Sequence, residues 1–159
     1  MQERPVIVTE ADMDRLTRLV RAFQYSLFRD QRQLDLLDQK LASAEVRTPG
    51  RIPRDLIRMN SSVRVFDFDT QRRGLYTLVF PEEANISKGM ISVLAPLGIA
   101  LLGRRKGNVI EAQVPGGTRR LKVEGVRQQP AAGRTKSSED SSTRRTSHLR
   151  RGYETALAV

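Results

Sequence analysis

The stretch Met90-Ile91-Ser92-Val93-Leu94-Ala95-Pro96-Leu97-Gly98-Ile99-Ala100-Leu101-Leu102-Gly103 decides what this chain can fold into. Residues 90–94 form an apolar, β-branched run, which predicts a buried strand. Pro96 stands where a helix would begin. Its fixed φ suits the first helical position, and its missing N–H costs nothing there. Leu97, Ala100 and Leu101 share one face at i, i+3, i+4 spacing. Gly103 supplies a left-handed stop. A strand therefore runs into a short apolar helix that has to dock on a sheet.

Working back toward the N-terminus, Thr9 reads as an N-cap, with Asp12 three residues on and Val8 and Met13 placed as a hydrophobic staple. Met13, Leu16, Val20 and Phe23 follow a 3, 4, 3 spacing, which predicts a helix over about residues 10–24. After a break, Leu34, Leu37, Leu41 and Ala44 repeat the spacing on a second helix over about residues 30–46. So short a turn makes the two helices antiparallel partners. Each arm would be roughly 22–25 Å long. The narrow apolar stripe suits a two-helix seam, so a projecting hairpin is expected rather than helices lying flat on a core. Thr48-Pro49-Gly50-Arg51-Ile52-Pro53 then stops the helix and acts as a linker.

Beyond residue 60 the apolar period becomes two. Val63 and Val65 alternate with Ser62 and Arg64, and Phe66 and Phe68 continue the extended run. Residues 67–74 look turn-like, residues 75–80 read as a return strand, and residues 81–85 as a helical turn. Lys106-Gly107-Asn108 turns into a strand over residues 109–114. After Pro115-Gly116-Gly117, residues 118–128 alternate as a half-buried strand. An antiparallel sheet of about five strands packed by one short helix is the economical arrangement. Residues 130–152 are rich in Ser, Thr, Arg, Ala and Gly and are expected to be disordered.

The chain carries a formal charge of +10 and no cysteine. Residues 1–127 hold 22 Lys/Arg against 15 Asp/Glu, so the excess belongs to the folded part as well as to the tail. Such a surface suits an acidic partner or nucleic acid. Disulfide and thiolate chemistry is excluded. No apolar run approaches the length of a transmembrane helix, and residues 1–5 lack a signal-peptide core. A cytoplasmic monomer without membrane contact is expected. The only histidine, His148, lies in the expected disordered tail, so no His-based triad is available to the fold. No phosphate-loop glycine spacing occurs. No catalytic, cofactor-binding or metal-ligating residues are assigned.

Several segments in order carry a resemblance. They are Arg4-Pro5-Val6-Ile7-Val8, Ile52-Pro53-Arg54-Asp55 with Met59-Asn60-Ser61, Leu78-Val79-Phe80-Pro81, the stretch from Met90 to Gly103, and Val114-Pro115-Gly116-Gly117. Over about residues 4–127 the chain resembles the bacterial Gre transcript-cleavage factors. It is more closely similar to the shortened Rnk branch, regulators of nucleoside diphosphate kinase. The chain is expected to be α+β in three parts: a helical hairpin or short coiled coil from the heptad spacing (1–48), an FKBP-like C-terminal β domain with one short helix as the resemblance implies (49–128), and a disordered basic tail from composition (129–159). The resemblance implies RNA polymerase as partner, and the basic charge adds weak non-specific nucleic-acid contact. Ser92, Ala95, Pro96 and Leu97, with Arg104 and Arg105, are the expected polymerase contact.

Gre factors place two acidic residues at the tip of a long coiled coil in the polymerase's secondary channel, where they help hold a magnesium ion that activates water. One carboxylate holds a hard divalent cation weakly. The expected tip here, Ser26, Arg29 and Asp30 included, has Asp30 as its one acid, and Asp30 also suits an N-cap. The expectation is therefore a non-enzymatic, Rnk-like transcription regulator without cleavage activity. The alternatives are an active cleavage factor using Asp30 with Asp35, or a basic nucleic-acid-binding module. A prolyl isomerase by fold analogy ranks last. Specific RNA recognition is not expected, because no aromatics interleave with the basic residues of the last strand.

Overall fold

A computed structural model of the chain describes residues 4–27, 31–114 and 116–129, with the Val114 side chain left aside. It is a mixed α+β fold with three α-helices and a curled sheet among the described residues. Expectations for residues 130–159 lie outside the described residues.

The first elements are strand β1 (Ile7–Val8) and helix α1 (Glu10–Gln24). Thr9 caps α1, its Oγ1 accepting from the Asp12 N–H at 3.1 Å. Helix α2 (Gln31–Ala42) follows, packed against α1. Leu16 and Val20 of α1 and Leu34, Leu37 and Leu41 of α2 are buried, which are the seam positions expected from the heptad spacing.

Helix α2 ends four residues earlier than expected. Glu45–Val46 instead forms strand β2, paired in parallel with β1. The Glu45 N–H donates to the Val6 carbonyl and the Arg47 N–H to the Val8 carbonyl, at 2.7 and 2.9 Å. Pairing with an available strand satisfies more backbone groups than another helical turn running into Pro49.

The platform is a five-stranded sheet built from β3 (Ser61–Asp67), β4 (Arg72–Val79), β5 (Met90–Ser92), β6 (Val109–Val114) and β7 (Gly117–Gln128). Its order is β5-β4-β3-β7-β6. The sheet is mixed rather than antiparallel as expected, because β5 runs parallel to β4, Leu78 beside Ile91. Two short 3-10 turns, Pro81–Glu83 and Ile86–Lys88, carry the chain across to that edge. The β3–β4 turn is also tighter than expected, since strand pairing continues to Asp67 opposite Arg72. A register shift between Arg64 and Val65 against β7 marks the curl.

Helix α3 (Pro96–Leu101) lies on the inner face of the sheet with Pro96 in its first turn. Leu97, Ile99 and Leu101 are buried with Val63, Val65, Leu78, Leu121 and Val123 in one core. Gly98 presses on β5: a Cβ there would overlap the Ser92 carbonyl oxygen and crowd the Val93 Cα. Gly103, at φ 80°, ends the helix against the Val6 side chain.

The hairpin's seam joins that same core, which corrects the picture of a freely projecting arm. On one side the Arg15 guanidinium lies 3.8 Å from the centroid of the Phe80 ring and 3.3 Å from the Glu82 carboxylate. On the other, the Lys40 ammonium donates to the Ile99 and Leu102 carbonyls at the end of α3. A shallow groove of about 460 Å³ runs between α2, at Gln33 and Leu36, and the flank made by α3 and β6. The hairpin therefore lies beside the platform, and past the end of α1 Tyr25 is 91% and Leu27 103% exposed.

Gly98→Ala is expected to lower stability by about 1–3 kcal/mol, through forced displacement of α3 from β5. Urea denaturation followed by circular dichroism measures it, and an unchanged midpoint would mean that the close approach is not needed.

Candidate functional site: the α3 rim, the inner cavity and the hairpin end

Three features meet around α3. The first is its N-terminal rim. Ser92 ends β5 half-buried, its Oγ accepting from the Leu94 N–H at 3.1 Å and its carbonyl from the Ala95 N–H at 3.0 Å. This local turn places Ala95 at the N-cap and Pro96 at the surface, both half-buried. Leu97 is only 2% exposed and belongs to the core, while Ala95 lines the inner cavity and Pro96 the groove beside α2.

At the other end of α3, Arg104 is half-buried. Arg105 makes a two-pronged pair with Asp55, at 2.8 and 3.0 Å. The Arg105 hydrogen bond holds the Asp55 carboxyl below the usual carboxylate range, against a smaller opposing effect of burial. Arg105 is thus committed to joining the segment before β3 to the end of α3. Sequence reasoning named Arg104 and Arg105 at this helix end, as a polymerase contact. It missed Lys40, which arrives from α2 and supplies donors to the orphan carbonyls.

The second feature is a cavity of about 510 Å³ on the inner face of the sheet, between β3, β4 and β5. Tyr76, Ile91, Leu97 and Leu121 give it an apolar lining, and Asp67 and Arg119 stand at one end. The Tyr76 ring lies over Gly74, where a Cβ would come within 2.7 Å of it. Burial, helped by the Asp67 charge, pushes the Tyr76 hydroxyl above its ordinary pKa. Asp67 is buried, accepts from the Asp69 and Thr70 N–H groups at 2.8 and 3.2 Å, and pairs with Arg119 at 3.0 Å. Burial alone would raise its pKa. Arg119 and the two backbone donors outweigh burial, and the net shift is downward.

The third feature is the hairpin end. Ser26 is exposed, and its Oγ donates to the Phe23 carbonyl at 2.9 Å. Arg29 and Asp30 lie outside the described residues. Asp35 sits exposed on α2. Tyr25, Ser26 and Leu27 bring no carboxylate, and no group of three His, Asp or Glu among the described residues could hold a metal ion. The described tip therefore does not make up the pair of oxygen ligands that the resemblance implies. No helix among the described residues is long and apolar enough to cross a membrane.

A curled sheet with a short helix on its inner face and a helical hairpin beside it is the frame of a transcription elongation factor of the Gre type. The family model described as "Transcription elongation factor, GreA/GreB, C-term" matches residues 52–128. The GreA transcription elongation factor of Helicobacter hepaticus is 33% identical over 127 residues, 76% of this chain and 78% of that protein. That of Magnetococcus marinus is 39% identical over 87 residues, 55% of each chain. The solved GreA/GreB elongation factor of Nitrosomonas europaea superposes with a TM-score of 0.66 at 34% identity, over 79% of this chain and 99% of that one. The chain belongs to the GreA/GreB transcription elongation factor family.

This kinship corrects the expectation of a non-enzymatic protein. The relatives are GreA transcription elongation factors, the group for which the resemblance implies assisted transcript cleavage, so the chain is not set apart from catalysis. The expectation rested on Asp30 being the one acid of the hairpin tip. A factor that assists another enzyme's active site needs no complete constellation of its own. The narrower Rnk assignment goes beyond what these matches show.

Because the Asp67 pKa is lowered on folding, its ion pair stabilises the fold above the ordinary carboxylate pKa of about 3.9 and is lost as pH falls through the folded value. Asp67→Asn is expected to cost about 1–3 kcal/mol at neutral pH. The difference from the parent should shrink in acid. Urea titrations across the pH range measure it, and a constant difference would place the effect elsewhere.

Proposed function

We propose that this chain is a Gre-type elongation factor that docks on RNA polymerase and stimulates cleavage of the transcript. Kinship over 127 residues to GreA carries the reading, since it takes in hairpin and platform together. Factors of this family bind RNA polymerase. The α3 rim, with the half-buried Ala95 and Pro96 at its start and Arg104 at its far end, forms the docking edge. The exposed hairpin end faces the polymerase's secondary channel.

The chain's own contribution is placement. Arg15 on Phe80 and Lys40 on the α3 carbonyls fix the hairpin's direction relative to the docking edge. A rigid link between the two turns affinity at the rim into position at the tip. In this reading the hairpin (1–48) reaches and the FKBP-like platform (49–128) docks, and the packing of β1 and the seam with the platform core supports their acting together.

The test is an arrested elongation complex with end-labelled RNA. The full chain should speed release of short 3′ fragments by at least about tenfold, since assisting groups are worth at least that much. Ala95→Tyr adds bulk at the half-buried rim position that also lines the inner cavity, and should raise the concentration of factor needed, with circular dichroism checking that the fold is retained. Asp30→Ala should lower the rate at saturation. If the full chain leaves cleavage unaltered while polymerase binding is intact, the cleavage reading fails. If polymerase does not co-purify, the docking reading fails with it.

A further inference from the structure

The outer face of the sheet, opposite α3 and the cavity, carries a surface that the elongation-factor reading leaves unused. Along β3 the outward positions are Arg64, Phe66 and, just past the strand, Phe68. Phe66 stands opposite Arg73 of β4 on one side and Lys122 of β7 on the other. The Phe68 N–H donates to the Arg120 carbonyl at 3.0 Å, which brings that cation beside the second ring. The two rings meet edge to face with centroids 5.4 Å apart. The Arg73 guanidinium lies 5.3 Å from the Phe66 centroid, and that of Arg120 5.7 Å from the Phe68 centroid. Arg64 extends over Gly125, where an added Cβ would come within 3.4 Å of its guanidinium.

The linear sequence separates these groups by up to about 58 positions, so the basic residues of the last strand look bare of aromatics. Strand pairing interleaves them. Phe68 is 38% exposed, although a ring on an outward sheet position adds less to stability than one in the core. Three acids border the patch: Glu124, paired with Arg73 at 3.0 Å, Glu111, opposite Arg120, and Asp69, which accepts from the Arg120 N–H at 3.0 Å. The cations remain in excess.

We propose that this face binds single-stranded nucleic acid, with Phe66 and Phe68 stacking on bases and Arg64, Arg73, Arg120 and Lys122 holding phosphates. The combination selects among anionic partners. An acidic peptide would use the charges but has no flat group to lay on the rings. A duplex would offer phosphates but keeps its base faces stacked and inaccessible, and a flat sheet face sends no element into a groove. Unpaired bases offer both, whatever their identity. Side chains on one face of a strand repeat about every 6.7 Å, a spacing that an extended strand of nucleotides can follow. The binding requires no polymerase, so it stands or falls separately from the cleavage reading.

The experiment is fluorescence anisotropy on the full chain with labelled oligouridylate, oligothymidylate and a blunt duplex, each of about twelve nucleotides or base pairs, from about 50 to 200 mM salt. Either single strand should bind at least about tenfold more tightly than the duplex, and a preference between the two would identify which sugar the face accepts while supporting the proposal. Phe66→Leu with Phe68→Leu keeps every charge and should weaken the single strands about tenfold or more. Phe68→Leu alone, at the more exposed ring, serves if the double variant is unfolded by circular dichroism. Lys122→Gln should reduce the salt slope by about 0.7. Equal binding of duplex, no effect of removing the rings, or no binding of either single strand would overturn the proposal. The first two results would leave a merely polyanion-attracting surface of the kind an acidic protein partner meets.

Discussion

The contact of Gly98 with the backbone of β5 holds this structure together. Because no side chain intervenes, α3 lies directly against the strand that precedes it, and its remaining faces are free to serve two neighbours. Toward the sheet it gives Leu97 and Leu101 to the core. Toward the hairpin it gives the carbonyls of Ile99 and Leu102 to Lys40. Past its end, the Gly103 N–H donates to the Ile57 carbonyl at 2.9 Å and its Cα accepts the Val6 side chain. The short helix and the two residues after it thereby tie the sheet, the segment leading into it, the second arm of the hairpin and the chain just before β1. Moving α3 outward by the width of a methyl group would loosen all of these together.

Much of this could be read along the chain, for a physical reason. The Thr9 cap, the heptad seam and the strand-to-helix passage at Pro96 depend on residues within a few positions of one another. Local geometry decides them, and the α1 boundaries and the buried leucines follow. What escaped depended on pairing between distant segments. Strand β2 exists only because β1 lies ready to receive it. The parallel β4–β5 pair needs the crossover through two 3-10 turns. Lys40 reads as one more charge on a solvated helix face until α3 is set beside it. The interleaving of Phe66 and Phe68 with the basic residues of β4 and β7 has no trace in the sequence, because register alone creates it.

The placement of charge also separates the two faces of the sheet. Inside, Asp67 and Arg119 compensate one another at the edge of an apolar cavity, with Asp67 further held by backbone donors. At the rim, Arg105 is spent on Asp55. Basic groups needed to hold the fold are therefore paired at short range, while those on the outer face of β3, β4 and β7 outnumber their acids. A net positive charge says little until it is known which cations the fold itself consumes.

The small β1–β2 ribbon gives the hairpin a mechanical character. Both ends of the helical pair enter and leave through a parallel ribbon two residues wide, closed by hydrogen bonds from Glu45 to Val6 and from Arg47 to Val8. Val6 abuts Gly103 directly behind it. A load applied at Tyr25 or Leu27 cannot be absorbed by one helix sliding past the other, since their roots are stitched together. It arrives as torque on the ribbon and, through Val6, on the tail of α3. The finger behaves as a cantilever clamped at its base and braced part-way by Arg15 and Lys40, with its far end about four helical turns from the ribbon.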